Sequence, residues 1–103
     1  MAVAISVIIP VYNAERFLQS SLEHLGLSGF RDFECIVVDD GSSDNSAQVG
    51  RQFGATVLST GGRRGPAYAR NLGAKSAKGE ILFFIDADVC VSANTLERVL
   101  ANF

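Results

Sequence analysis

Two apolar runs in this chain end in aspartates. Cys35-Ile36-Val37-Val38 leads into Asp39-Asp40-Gly41-Ser42, and Ile81-Leu82-Phe83-Phe84-Ile85 leads into Asp86-Ala87-Asp88. A carboxylate just past a buried strand sits at the rim of a sheet, where it can reach a ligand without being desolvated in the core. Two carboxylates separated by one residue at such an end can bind Mg²⁺ or Mn²⁺ and leave coordination positions for diphosphate oxygens. With six aspartates in 103 residues, a DxD triplet is weak evidence by itself, and its place after a strand gives it weight. Each pair also has a plainer reading. Asp86-Ala87-Asp88 could be a solvated turn, and Asp39-Asp40-Gly41-Ser42 could be an Asx turn with a helix cap.

Other residues join this rim. Tyr12 follows the first apolar run, and an aromatic face beside a cleft suits stacking of a base, although a packing residue at a strand end looks the same in sequence. Arg63, Arg64 and Arg70 could neutralise phosphate, or they could form a solvated basic surface, the commoner fate of arginine. His24 falls near the end of a helix without an evident partner and reads as a surface or cap residue.

The elements that must position these groups follow from periodicity and punctuation. Ala4 to Pro10 is a continuous, largely β-branched run, as expected of a parallel strand covered on both faces. Asn13 offers an N-cap to a helix carrying Glu15 in its first turn and Leu18, Leu22 and Leu25 on one face, ended by Gly26 and Gly29. Glu34 to Asp39 is a second strand. The loop Gly41-Ser42-Ser43-Asp44-Asn45 is rich in capping residues and starts a helix through Val49 and Phe53, which Gly54 stops. Ala55 to Ser59 reads as a short third strand. A flexible loop, Thr60-Gly61-Gly62-Arg63-Arg64-Gly65, leads to Pro66 at the first position of a third helix running through Ala74 towards Gly79. Glu80 to Ile85 is the fourth strand. Asn94 and Glu97 have capping-box spacing ahead of a last helix with Leu96, Val99, Leu100 and Phe103 at helical intervals.

Strands alternating with helices predict an α/β fold: a Rossmann-like parallel sheet of about four strands with helices on both faces. In such sheets ligands bind at the carboxyl ends of the strands, where Tyr12, Asp39, Asp40, the Gly-Gly-Arg-Arg loop, Asp86 and Asp88 all fall.

Composition bounds the rest. A chain of 103 residues suits one compact domain, and 48% apolar against 19% charged residues fits a globular protein with a real core. A formal charge of −2 provides no field to steer the protein towards nucleic acid or anionic lipid, so any bound anion must be held locally. No apolar stretch approaches the roughly 20 residues that a membrane span needs. The start lacks the charged region of a signal peptide, and the chain reads as cytoplasmic. Cys35 and Cys90 have neither CxxC spacing nor nearby histidines and read as buried thiols.

Four motifs, in order, resemble family-two glycosyltransferases: Ser6-Val7-Ile8-Ile9-Pro10-Val11-Tyr12-Asn13, Val37-Val38-Asp39-Asp40-Gly41-Ser42-Ser43-Asp44, Ala69-Arg70-Asn71-Leu72-Gly73, and Gly79-Glu80 through Asp86-Ala87-Asp88. The resemblance spans nearly the whole chain. It implies a GT-A fold whose amino-terminal half, here residues 1–103, binds a nucleotide sugar, commonly a UDP-sugar, with a divalent cation (Mn²⁺ or Mg²⁺). It puts Pro10 and Tyr12 at the base pocket, Asp40 on the base with Asp39 as its support, Arg70 on the donor, Asp86 on the ribose side and Asp88 on the metal. The implied reaction is inverting transfer to an acceptor hydroxyl. The family's general base is an acidic residue well beyond the DxD, in an acceptor-binding half that these residues do not include. The isolated chain is therefore expected to be inactive and to self-associate through apolar surface and an unpaired strand edge. The donor sugar and the acceptor are not specified by these motifs.

Two rival classes use similar residues. A phosphotransfer hydrolase with a DxD nucleophile wants DxDx[TV] near the first strand, and a phosphoaccepting receiver wants an acidic pair after strand one with a late lysine. Neither pattern is present. A non-catalytic nucleotide-binding or assembly module is the other alternative.

Overall fold

The computed structural model describes residues 3–103. Four strands, β1 (Ile5–Val11), β2 (Phe33–Asp39), β3 (Thr56–Ser59) and β4 (Ile81–Phe84), alternate with four helices, α1 (Glu15–Gly26), α2 (Ser46–Gln52), α3 (Pro66–Ser76) and α4 (Thr95–Ala101). The strands form one parallel sheet in the order β3-β2-β1-β4. This is the expected α/β layout, with helices divided three to one between the faces.

The alternation of side chains along β1 produces that division. Ile5, Val7, Ile9 and Val11 enter a cluster with Leu18, Leu22 and Leu25 of α1, Val49 of α2 and Leu96 of α4. On the opposite face Ile8 packs with Ile36, Val38 and Ala69 of α3. Both faces of β1 are covered, which is why its sequence is apolar at almost every position. Gly73 lets α3 approach the sheet, since a Cβ there would lie 2.6 Å from Cγ2 of Ile8. Chain order runs outward from β1 to β3, then α3 crosses back to set β4 on the other side of β1. The topological switch therefore lies between β1 and β4, where sheets of this kind open a crevice.

Several local expectations give way to other contacts. Asn13 does not cap α1: it has φ of 49°, and its Oδ1 accepts hydrogen bonds from the Ser43 N–H at 2.7 Å and the Ser43 hydroxyl at 3.3 Å. The N-cap position falls to Ala14, which makes no side-chain cap. Asn94 and Glu97 form no capping box either. Asn94 Oδ1 instead accepts from the Ser92 hydroxyl, and the Thr95 hydroxyl accepts from the Ser92 N–H. Cys90 is exposed rather than buried, because it lies in the loop after the strand. Cys35 is half-buried, and burial followed by the neighbouring Glu34 charge pushes its thiol up to about 12. It is a packing residue, not a nucleophile.

Among the described residues no helix is long and apolar enough to cross a membrane.

Candidate nucleotide-sugar site

The strand parity that builds the two core layers also separates the two members of the first aspartate pair. Asp40 continues the Ile36 and Val38 side of β2 and meets the loop that enters α3, whereas Asp39 turns the other way. Asp39 Oδ1 accepts from the Ser42 N–H at 3.1 Å, closing an Asx turn. The plainer reading of the motif thus holds for Asp39, while its neighbour has a different environment.

Asp40 is only 2% exposed. Its Oδ1 accepts from the Thr60 hydroxyl and the Arg64 N–H, each at 2.8 Å, and its Oδ2 from the Gly65 N–H at 2.9 Å and Arg63 Nη1 at 2.5 Å. Burial works to raise its pKa, but the backbone donor of Arg64, the Thr60 hydroxyl, the Gly65 N–H and the Arg63 guanidinium outweigh it and hold the carboxyl at about 2. Asp40 is a fixed anion. Gly41 makes this closure possible: it has φ of +85°, and a Cβ there would stand 2.8 Å from the Gly62 carbonyl carbon. The β3–α3 loop lies against that glycine.

The remainder of the motif joins two loops. The Asn13 N–H donates to the Ser42 hydroxyl at 2.9 Å, and the Ala14 N–H to the Ser46 hydroxyl. Glu15 and Asp44 exchange backbone bonds: the Glu15 N–H donates to Asp44 Oδ2 and the Asn45 N–H to Glu15 Oε1. Burial raises the Asp44 pKa, but bonds from the Ser46 hydroxyl and N–H and from the Glu15 N–H bring it below the usual value. This clasp fixes the chain just after Tyr12 to the loop that follows Asp40, and the Asp40 N–H donates at 2.9 Å to the carbonyl of Val11, just before Tyr12. In sequence Asn13, Ser42 and Asp44 read as separate helix-start signals; their polarity is visible there, but not their pairing across about 30 residues.

Two cavities share Pro10 as a wall. A smaller one of about 160 Å³ is lined by Pro10, Tyr12, Asp40, Arg63, Pro66 and Ala69, among others. A larger cleft of about 730 Å³ lies at the β1/β4 switch, between Pro10, Arg70, Asn71, Phe84, Asp86 and Val89. The structure therefore gathers Pro10, Tyr12 and Asp40 at one recess and Pro10, Arg70 and Asp86 at the next. Asp39 and Asp88 line neither. Arg63, which in sequence reads as a phosphate contact or a solvated surface residue, stands over the Tyr12 ring with its guanidinium carbon 3.8 Å from the centroid.

Asp86 and Asp88 are both exposed, and Ala87 between them is buried, so the carboxylates flank one inward-facing residue. A bond from the Val89 N–H to the Asp86 carbonyl at 3.0 Å tightens the turn. The salt bridge found among the described residues is Arg63–Asp40, which leaves this second pair without one. Two free carboxylates make a hard oxygen donor set suited to Mg²⁺ or Mn²⁺ that takes its other ligands from diphosphate and water. Among the described residues no cluster of three or more His, Cys, Asp or Glu could enclose a cation alone.

A switch-point cleft with Arg70 and Asp86 on its wall, beside a recess holding a fixed carboxylate and an aromatic face, is the layout in which open α/β sheets take their ligands. The profile of Glycosyl transferase family 2 matches residues 6–103, and the chain belongs to that family. It is 36% identical over 104 residues to the glycosyltransferase GlyG of Streptococcus pneumoniae, covering 96% of this chain and 35% of GlyG. A crystal structure of residues 1–349 of Staphylococcus aureus TarS in complex with UDP-GlcNAc superposes with a TM-score of 0.89 at 32% identity, covering 95% of this chain and 30% of that fragment. The mannosyltransferase PcManGT of Pyrobaculum calidifontis, in complex with GDP-Man and Mn²⁺, gives 0.85 at 27% identity, covering 93% and 31%. The chain thus spans about a third of GlyG and of the PcManGT chain, and 18% of whole TarS. Family membership displaces the phosphotransfer and receiver readings.

Proposed function

We propose that residues 1–103 are the donor-binding portion of an inverting GT-A glycosyltransferase, holding a nucleoside diphosphate sugar, most simply a UDP-sugar, with a divalent cation. The observation that carries this reading is the pair of recesses joined at Pro10, one with Tyr12 and Asp40 and the other with Arg70 and Asp86. A nucleotide laid across them puts its base on the Tyr12 face with an N–H towards Asp40, its ribose side towards Asp86, and its diphosphate towards Arg70 and Asp88. The complexes of TarS with UDP-GlcNAc and of PcManGT with GDP-Man and Mn²⁺ support the ligand class.

Asp86 and Asp88 fit a Mn²⁺ or Mg²⁺ ion, which when bound supplies Lewis-acid stabilisation of the leaving diphosphate. Asp40, charged and rigid, orients the base. Asp39 and the clasp around Asn13 hold Tyr12 and Asp40 in register, so the reacting end of the donor is presented in a fixed direction. The acceptor hydroxyl attacks the anomeric carbon from the side opposite the nucleotide, and its proton goes to a general base in the acceptor-binding half, outside these residues. The 103 residues alone bind donor and transfer little or no sugar. A cytoplasmic location belongs to the same proposal.

Thermal denaturation with a panel of nucleotides and Mn²⁺ tests the site. Stabilisation by uridine nucleotides above all others is expected. A panel without any stabilising nucleotide would remove the base seat, and measurable sugar transfer by the isolated chain would remove the division of labour.

A further inference from the structure

Arg63 occupies the same surfaces that the proposed base would need. Its flat guanidinium lies 3.8 Å from the centre of the Tyr12 ring, and its Nη1 donates to Asp40 Oδ2 at 2.5 Å. A uracil ring stacked on Tyr12 with its N3–H towards Asp40 would make the same two contacts: a planar π face against the aromatic ring and one N–H into the carboxylate. Both occupants cannot use one face of Tyr12 and one oxygen of Asp40 together. The arginine is free to leave. Its side chain is 54% exposed, and it sits in the loop Thr60–Gly65, where Gly61 and Gly65 have φ of +85° and +101°.

The geometry points to Arg63 as an internal stand-in for the base, seated between Tyr12 and Asp40 when no nucleotide is bound and displaced by a base that reproduces its stacking face and its N–H. This rests on the base seat proposed above. Departure of Arg63 leaves Asp40 with three donors, from Thr60, Arg64 and Gly65, so the carboxylate keeps its charge and its direction. A ring that offers an N–H can therefore replace the arginine, and a ring that offers a lone pair or a methyl group at that position cannot. Arg63 is thus a specificity-determining residue as well as a competitor: it sets the threshold that an incoming base must exceed.

Neutral nucleosides are the cleanest probes, because removing an arginine also weakens attraction for any phosphate. Uridine and N3-methyluridine are titrated by calorimetry into the wild-type chain, Arg63→Ala and Arg63→Met, the last retaining the long apolar stem over Tyr12. If Arg63 fills the seat nine-tenths of the time, its removal strengthens uridine binding by about tenfold in Arg63→Ala. Arg63→Met gains less, because its stem still covers the ring. N3-methyluridine binds weakly to all three. Equal or weaker uridine binding by Arg63→Ala, with uridine still preferred over its N3-methyl analogue, overturns the stand-in and leaves the base seat intact. Equal binding of the two nucleosides by the wild-type chain and by both variants overturns the base seat itself, and the inference with it. If Arg63→Ala fails to fold, a gain in Arg63→Met over wild type supports the proposal and its absence refutes it.

Discussion

The two strand-end carboxylate pairs lie on either side of β1 and have opposite electrostatic lives. Asp40 is buried beneath four donors and its charge is already compensated within the protein. Asp86 and Asp88 are exposed, without a salt bridge among the described residues, and their charge awaits a counter-ion. The first arrangement pre-organises a directional acceptor for a neutral base, while the second leaves room for a cation and a diphosphate that bring their own charges. A ligand with a neutral end and a polyanionic end matches this asymmetry. Substitutions that neutralise each carboxylate in turn should therefore have opposite signatures.

The largest effect is expected at Asp40. Asp40→Asn puts an amide donor among the Thr60 hydroxyl, two backbone N–H groups and a guanidinium, and leaves at least one of them facing another donor. Breaking such a buried charge network costs about 2–4 kcal/mol, and Tm should fall by roughly 10–25 °C for a domain of this size. The same isosteric change at Asp86 or Asp88, measured in the same denaturation experiment without ligand, should alter stability by less than about 0.5 kcal/mol. Equal destabilisation at both pairs would erase the contrast.

The next effect reverses the ranking. With UDP and Mn²⁺ at about one hundred times their dissociation constant, linkage adds roughly 2.7 kcal/mol to the wild-type chain. Asp88→Asn should lose the Mn²⁺-dependent part of that gain while leaving the ligand-free Tm in place. A thermal shift that remains Mn²⁺-dependent in Asp88→Asn would take this residue out of the metal site and leave Asp86 to account for it.

A smaller effect is expected where the loop rests on Gly41. Gly41→Ala combines a left-handed φ with a Cβ pressed to 2.8 Å from Gly62, and neither strain can be relieved by rotating a side chain. A loss of about 1–3 kcal/mol follows, accompanied by weaker uridine binding because Asp40 loses the Thr60, Arg64 and Gly65 donors that fix its direction, a loss that outweighs the release of Arg63. Calorimetry alongside denaturation would expose a purely local strain: stability would fall while uridine affinity stayed constant.

The legibility of these features in the sequence follows the range of the interactions that make them. The parallel sheet and its helices were readable because burial on both faces leaves continuous apolar runs such as Ile5–Val11, and because Leu18, Leu22 and Leu25 recur at helical spacing. The strand-end positions of Asp40 and Asp86 followed from those runs. What did not follow was which aspartate of a pair faces the cleft. A strand buried on both faces lacks the polar alternation that would reveal parity, so Asp39 and Asp40 look equivalent in sequence and differ completely in the fold. Helix starts misled because competing partners take up the side-chain oxygens: Asn13 accepts from Ser43, 30 residues away in sequence, and Asn94 from Ser92, two residues before it. Arg63 has no local signature at all, since its role depends on a loop from β3 reaching the end of β1.

The subtlest test of the contrast is its behaviour in acid. In the folded chain Asp40 is held at about 2, below the ordinary value of 3.8, so the folded state releases its proton more readily than the unfolded state does. The stability this confers is present in full above the unfolded value, near pH 4, and is lost as the pH falls through the folded value, near 2. Asp44 is shifted in the same direction and contributes to the same slope. Chemical denaturation followed from pH 5 to pH 2 should therefore show stability falling across the lower part of that range. Asp40→Asn should flatten the slope without abolishing it, because the Asp44 clasp remains, and the double variant with Asp44→Asn should flatten it further. A slope unchanged by Asp40→Asn would mean that the four donors hold the loop in place without tuning the carboxylate, and the fixed anion beneath the base seat would have to be given up.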